Sequence, residues 1–232
     1  MYNILICDDE RPIVNALKIY LSDENYTLYE AYDGAEALDV LRRVDIHLIL
    51  MDIMMPRMGG IEAMARIREQ SNVPIILLTA KSEDADIILG LNVGADDYIT
   101  KPFKPAEVAA RVKSQLRRYM LLGGGGRTHR LVCGGIELDD ETKTVTLDGD
   151  DVLLTPTEYG ILRLLMEHPG QVFSPKDIYR RVWGQDAIYG GEGTVAVHIR
   201  NLRTKLELDP ATPRYLKVVW GQGYKIDDGG RL

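Results

Sequence analysis

The chain has 232 residues, 45% of them hydrophobic and 27% charged, with a net charge of −7. That is the make-up of a soluble globular protein of one or two domains, each long enough for its own core. Two cysteines and four scattered histidines exclude a disulfide framework and a histidine-based metal site, and no apolar stretch reaches membrane-spanning length, so a reduced, cytoplasmic setting is expected.

The average charge conceals a gradient. Residues 1–122 hold 14 Lys and Arg against 19 Asp and Glu, a net of −5, whereas 174–226 hold 9 against 5, a net of +4. An acidic first half and a basic final segment imply different tasks. Between them LLGGGGRTHR (121–130) reads as a flexible linker. The expected layout is therefore a first domain at 1–120, a linker at 121–130 and a second domain at 131–228.

In the first domain, short β-rich runs NILIC (3–7), TLYEA (27–31), IHLILM (46–51), PIILLT (74–79) and DYIT (97–100) alternate with helical patterns near 11–22, 34–43, 60–70, 84–94 and 105–119. Five βα units predict a five-stranded parallel sheet covered by helices on both faces. IHLILM and PIILLT are apolar throughout, as strands buried on both sides should be. Cys7 lies inside such a run and is expected to be core filler.

Three acids, Asp8, Asp9 and Glu10, end the first run just ahead of Pro12. Helix capping accounts for one of them, or two. The remaining strand ends suggest more, because open parallel sheets place function beyond the carboxyl ends of their strands. The third strand delivers Asp52, the fourth Thr79 and the fifth Lys101. Clustered carboxylates resist ionising together, and a divalent cation such as Mg²⁺ relieves the conflict. A lysine and a hydroxyl on the same rim suit a tetrahedral anion beside it. Phosphoryl transfer to a carboxylate uses all five groups. Asp52 is the one acid without an acidic neighbour, which makes it the candidate nucleophile, with Glu10 left facing solvent or capping the helix.

The stretches CDDE, LILMDIMMPRMGG, PIILLTA and GADDYITKPF, in this order and spacing, resemble the receiver domain of two-component response regulators. The resemblance implies a flavodoxin-like fold in which Asp52 takes a phosphoryl group from a sensor histidine kinase. It implies Mg²⁺ held by Asp9, Asp52 and the backbone carbonyl of Met54, with Asp8 acting through water. It further implies Thr79 and Lys101 as phosphoryl-oxygen ligands, a cis Lys101–Pro102 bond, and Tyr98 as a switch aromatic that turns inward with Thr79. Segment 84–119 is similar to the dimerisation face of the OmpR/PhoB-type subfamily, which places Asp96, Asp97, Glu107, Arg111 and Arg118 in intermolecular ion pairs. Ile87 stands where that subfamily usually has a basic residue, and Asn92 where an acid is common, so Glu107 lacks its usual partner and the seam at Ile87 shifts toward packing.

After the linker, short alternating strands with the turn signal LDGDDV (147–152) are followed by helical patterns near 157–168, 174–183 and 194–207. The chain then reaches RYLKVVWGQGYKI (214–226), a hairpin around Gly221-Gln222-Gly223. Together these predict an α+β winged helix-turn-helix. At 100° per residue, Val195, Ile199, Leu202 and Leu206 form one apolar stripe. Val197, Arg200, Asn201 and Thr204 lie opposite, where Arg can bind guanine, Asn adenine, and methyl groups thymine. His198, Arg203 and Lys205 flank that face and suit phosphates. Thr194 at the helix start and Lys217 and Lys225 in the hairpin complete the expected DNA-contact set.

LTPTEYGILRLLMEHPGQVFSPKDI, HIRNLRTKLE and GQGYKI resemble the effector domain of the same subfamily. This implies promoter binding at tandem half-sites by a homodimer formed on phosphorylation, and a loop, GQDAIYGGEG (184–193), that contacts RNA polymerase. Many members carry a wing arginine that enters the minor groove; this chain has Trp220, which removes that basis for minor-groove reading. Two other readings stay open. A Mg²⁺-dependent phosphohydrolase with an aspartyl nucleophile usually needs an acid two residues later, where Met54 stands, and steady phosphatase turnover would reveal it. A phosphate-independent DNA-binding regulator would leave the same genomic footprint with and without phosphorylation.

Overall fold

The computed structural model describes residues 1–22, 25–80, 84–121, 130–184 and 191–227, with backbone only for 84–88, 118–121 and 191–192. The linker core, the segment 185–190 and the side chains of Ile87 and Arg118 thus lie outside the described residues. The chain divides into two compact units, Met1–Tyr119 and Met120–Leu232.

The first unit runs β1 (Tyr2–Cys7), α1 (Arg11–Tyr20), β2 (Tyr26–Ala31), α2 (Gly34–Leu41), β3 (Leu48–Asp52), α3 (Gly60–Arg68), β4 (Ile75–Ala80), α4 (Asp84–Val93), β5 (Asp97–Lys101) and α5 (Pro105–Leu121). All strand pairs are parallel, in the order β2-β1-β3-β4-β5. Every residue of β3 is buried, and β4 is buried up to Thr79. Alternation along the strands explains why both faces need apolar side chains. Ile4, Ile6, Leu48, Leu50, Ile76 and Leu78 pack against Val14 and Leu17 of α1 and Val108, Val112 and Leu116 of α5, while Leu5, Ile49 and Leu77 are equally buried.

Local polar contacts set the helix entries. Asp33 Oδ1 accepts from Glu36 N at 2.8 Å and caps α2. Glu10 occupies the cap position of α1 without a side-chain bond, so Pro12 and backbone geometry start that helix, and none of the three acids caps it through its side chain. Two glycines let α2 and α3 approach closely. A Cβ on Gly60 would stand 2.0 Å from the Asp52 carbonyl oxygen, and one on Gly34 2.9 Å from that of Met58.

Arg68, at the end of α3, gathers the opposite end of the sheet. Its guanidinium donates to the carbonyls of Gly94 (2.9 Å) and Val73 (2.7 Å) and to Asp96 Oδ2 (2.9 Å), which also accepts from Ile75 N at 3.0 Å. Asp96 is wholly buried, so this ion pair is internal to the unit.

The second unit begins with an antiparallel sheet, β6 (Arg130–Cys133), β7 (Ile136–Asp139), β8 (Thr144–Leu147) and β9 (Asp150–Asp151). The LDGDDV signal becomes a two-residue hairpin with Asp148 at φ 52° and Gly149 at φ 97°, the paired positive values that match strand twist. Three helices follow, α6 (Pro156–Met166), α7 (Pro175–Trp183) and α8 (Gly191–Leu206). Thr155 and Glu158 form a capping box at α6. Ser174, Pro175 and a left-handed Gly184 bound α7. The hairpin β10 (Leu216–Val219) and β11 (Gly223–Ile226) closes the unit and is bridged to Phe173 by two backbone bonds, of 2.8 and 2.9 Å, with Tyr224. Gly223 is required there: a Cβ would sit 2.0 Å from the Phe173 carbonyl oxygen, and its φ is 145°.

Breaking a buried ion pair by removing one partner leaves the other uncompensated. Arg68→Ala is therefore expected to cost the first unit about 3–5 kcal/mol, read as a lower urea midpoint for its unfolding transition.

Candidate functional site

β1, β3 and β5 deliver their terminal polar groups to one rim. Lys101 Nζ lies 2.8 Å from Asp8 Oδ2 and 2.8 Å from Asp52 Oδ1. Asp8 is wholly buried, Asp52 is 5% exposed and Asp9 is open to solvent. One oxygen of each of these three acids lies within 4.8 Å of the others. Backbone donors hold the carboxylates: Asp8 Oδ1 accepts from Glu10 N (2.9 Å) and Asp52 Oδ2 from Met54 N (3.1 Å). The bond from Glu10 fixes Asp8 rather than capping α1. Lys101–Pro102 is cis.

Burial pushes the Asp52 carboxyl above its ordinary pKa; the Lys101 ammonium opposes this, and Asp8 and Asp9 add to the rise. Burial works to lower Lys101, but its bonds to Asp52 and Asp8 prevail and raise it. The rim therefore holds three acids against one ammonium, an acidic triad of the kind that takes a divalent cation. Thr79 is buried at the end of β4, its hydroxyl donating to the Ala80 carbonyl at 3.3 Å. Tyr98 is half-buried on β5. Cys7 is buried beneath the rim, its thiol 3.4 Å from the Asp33 carbonyl, and burial pushes that thiol far up, which leaves it inert.

The residues expected to pair copies of the chain are largely engaged within it. Arg111 Nη1 binds both oxygens of Asp97 at 2.8 Å, and Nη2 lies 3.2 Å from Glu107. Asp97 and Arg111 are buried, and Asp96 belongs to the Arg68 cluster. Asn92 is exposed.

In the second unit, Val195, Ile199, Leu202 and Leu206 of α8 are all buried, as the wheel requires. Arg200 and Thr204 are exposed, and Val197 and Asn201 partly so. Two expected DNA contacts are instead inside. Thr194 is buried, and His198 is 0% exposed with its ring 5.7 Å from that of Trp183. His198 thus packs behind the reading face and does not flank it; the wheel missed this because α7 crosses α8 on that side. The flanking cations are anchored. Arg203 donates to the Leu216 carbonyl (3.1 and 2.7 Å), Lys205 pairs with Glu158 (2.6 Å), Lys217 donates to the Pro213 carbonyl, and Lys225 pairs with Asp227 (2.7 Å).

Sequence reasoning overlooked Glu207. Its buried carboxylate accepts from the backbone N–H groups of Arg214 (2.6 Å), Tyr215 (2.9 Å) and Leu216 (2.8 Å), tying the end of α8 to the hairpin. It also gave no role to Gly60; the Gly59-Gly60 pair just after the Asp52 loop was the available signal.

Fold and rim together define a phosphoacceptor domain joined to a winged-helix DNA-binding domain. Residues 4–113 match the model of the response regulator receiver domain, and 149–226 that of the C-terminal domain of transcriptional regulatory proteins. The chain is 42% identical over 226 residues to the regulatory protein VanR of Enterococcus faecium, covering 97% of this chain and 98% of that one. It is 38% identical over 227 residues to VanRc of Enterococcus gallinarum, at the same coverage. Among solved structures, the Thermotoga maritima response regulator DrrB, an OmpR/PhoB homolog, is 30% identical with a TM-score of 0.52, covering 98% of this chain and 99% of that one. This chain belongs to the OmpR/PhoB-type family of two-component response regulators, transcription factors rather than conventional enzymes. The family implies a histidine kinase as partner and DNA as target. Among the described residues, no helix is long and apolar enough to cross a membrane.

A carboxyl raised in the fold favours its protonated form there. Its ionisation then removes stability as pH rises from the ordinary carboxylate range through the raised value. In chelator, Asp52→Asn is therefore expected to unfold at higher urea than the parent at neutral pH, with the gap closing in acid. Added Mg²⁺ is expected to stabilise the parent more than the variant. Denaturation series with EDTA and with Mg²⁺ check both.

Proposed function

We propose that Asp52 accepts a phosphoryl group from a sensor histidine kinase and that the acyl phosphate so formed promotes pairing of two chains on promoter DNA. The observation that carries this reading is the position of Lys101, within 2.8 Å of both Asp8 and Asp52, beside an acid cluster that by itself is over-charged. An Asp52 carboxylate oxygen forms the new P–O bond while the P–N bond of phosphohistidine breaks, and the departing imidazole nitrogen keeps the electron pair. Lys101 moves from the Asp52 carboxylate to a phosphoryl oxygen. Thr79, whose hydroxyl donates to the neighbouring Ala80 carbonyl, turns to donate to another. Asp9, Asp52 and the Met54 carbonyl, with Asp8 through water, fit Mg²⁺; the ion would neutralise charge on the phosphoryl oxygens.

Thr79 drawn inward leaves room for Tyr98, and the α4-β5-α5 face then meets its counterpart through Ile87, Asp97, Glu107, Arg111 and Arg118; Asp96, wholly buried and held by Arg68, stays inside the unit and drops out of the expected set. The internal bonds of Arg111 make this an exchange of partners rather than a gain of new pairs. The effector domains occupy tandem half-sites about one helical turn apart. Arg200 and Asn201 read bases, Val197 and Thr204 touch methyl groups, and Arg203, Lys205, Lys217 and Lys225 approach phosphates. The loop 184–193 meets RNA polymerase, and the whole process belongs to the cytoplasm.

Asp52→Asn is expected to abolish a hydroxylamine-labile phosphoryl adduct in intact-mass measurements with a phosphodonor and Mg²⁺; an adduct that persists would move the acceptor elsewhere. For DNA, Arg200→Ala is expected to cost about 1–3 kcal/mol and relax preference at one base position. Equal weakening on matched and scrambled duplexes would reduce α8 to a basic face.

A further inference from the structure

The loop between β3 and α3, residues 53–59, carries the Met54 carbonyl proposed above for Mg²⁺. Its two ends are fixed by main-chain bonds. Ile53 N donates to the Leu78 carbonyl at 3.2 Å, and Gly60 N to that of Ile53 at 2.9 Å. Its middle is tied sideways to the start of α2. There Gly34 N donates to the Met58 carbonyl at 3.0 Å, and Arg57 reaches two acids. Arg57 Nη2 pairs with Asp33 and donates to Glu36 Oε1 at 2.9 Å. Both acids are held in turn, since Asp33 Oδ1 caps α2 and Glu36 Oε2 accepts from Tyr32 N at 2.9 Å. The turn that carries them follows β2, whose last carbonyl, that of Ala31, accepts from Asp8 N at 3.2 Å. The anchor of the loop is therefore built onto the acidic rim.

Exposed ion pairs ordinarily contribute little, but this one has a buried half. Asp33 is wholly buried, whereas the Arg57 side chain is 66% exposed. A carboxylate that has given up its water depends on its partner far more than a surface acid does. The backbone of Arg57 points the same way. Its φ is 64°, in the left-handed region that glycine enters freely and a residue with a Cβ does not. Turn geometry alone calls for glycine at this position. An arginine there is explained by what its side chain holds.

We infer that Arg57 is a positioning residue for the Asp52 site: by clasping Asp33 and Glu36 it keeps the Met54 carbonyl turned toward the metal position beside Asp9 and Asp52. The inference rests on the reading of Asp52 as a Mg²⁺-assisted phosphoacceptor. The N–H of Met54 is already held by Asp52 Oδ2 at 3.1 Å. Its carbonyl belongs to the next peptide plane, which is steadied from the Arg57 side. Charge and position here have opposite signs. Loss of a cation near an acid cluster tightens divalent binding by electrostatics alone, whereas release of the ligand-bearing loop weakens it.

The test uses the full-length protein and Mn²⁺, which takes the same oxygen ligands and whose free ion is counted by EPR, with Mg²⁺ as competitor. Arg57→Gly suits the left-handed backbone and removes the clasp; its affinity should fall about 10-fold, the scale of losing an outer-shell partner. Arg57→Lys should retain most of the affinity, because one ammonium can meet both carboxylates that Nη2 meets. Asp33→Asn combined with Arg57→Gly removes the uncompensated buried charge and keeps a good cap on α2. Its urea midpoint should recover while its affinity stays low. Parent-like or tighter binding by Arg57→Gly would overturn the inference. So would affinity that recovers together with stability in the double variant, which would make the clasp a matter of folding alone. Asp52→Asn on the same titration separates the underlying reading. If the parent binds Mn²⁺ no better than Asp52→Asn, the metal site fails and the clasp with it; if the parent binds and Arg57→Gly matches it, only the clasp fails.

Discussion

Lys101 stands between two carboxylates that would otherwise repel, and the N-terminal domain is arranged around keeping it there. Its ammonium reaches Asp8 from β1 and Asp52 from β3 at equal distances, so one side chain of an edge strand reaches the ends of two inner ones. The cluster stays acidic even so, and burial holds the Asp52 carboxyl above its ordinary range. Such a site is under electrostatic tension that an added cation or a redistribution of the lysine relieves. In the phosphorylation proposed for Asp52, the same side chain that stabilises the resting domain would leave Asp52 to hold the phosphoryl group, and this would link chemistry to conformation.

Behind the rim the structure leaves little slack. Gly60 brings the first turn of α3 against the Asp52 carbonyl, and Gly34 brings α2 against Met58. At the other end of the sheet, Arg68 joins α3 to β4 and to the approach to β5 through the buried Asp96. Packed interiors have little room to give, so these contacts hold the Asp52 end of β3 firmly against α3 and the loop that precedes it.

The sequence made the elements legible because its signals were local or periodic: doubly buried β3 and β4, the Asp148-Gly149 turn, the apolar stripe of α8. The rim was legible for a topological reason, since the first polar residue after each parallel strand must appear on the same edge. What escaped was set by tertiary neighbours. His198 looked like a flank residue on an isolated helix, but α7 lays Trp183 over it. Asp96 and Asp97 looked like surface acids, but arginines from α3 and α5 reach them from far along the chain. Glu207 looked like the last polar residue of a helix, and only the returning strand gives its carboxylate three donors. Pairings of this kind have no sequence period and become visible only once the chain is folded.

The Glu207 clasp also isolates a short excursion of the chain. Arg214 to Leu216 are secured to the end of α8, so Leu208 to Thr212 form a solvent-exposed bulge whose two ends are already pinned together. A bulge closed at its base is mechanically decoupled from what it connects, and its length contributes little to the stability of the fold. For protein engineering, this is the place in the effector domain to graft a peptide tag or a fluorophore, because the bulge can grow without shifting helix or hairpin.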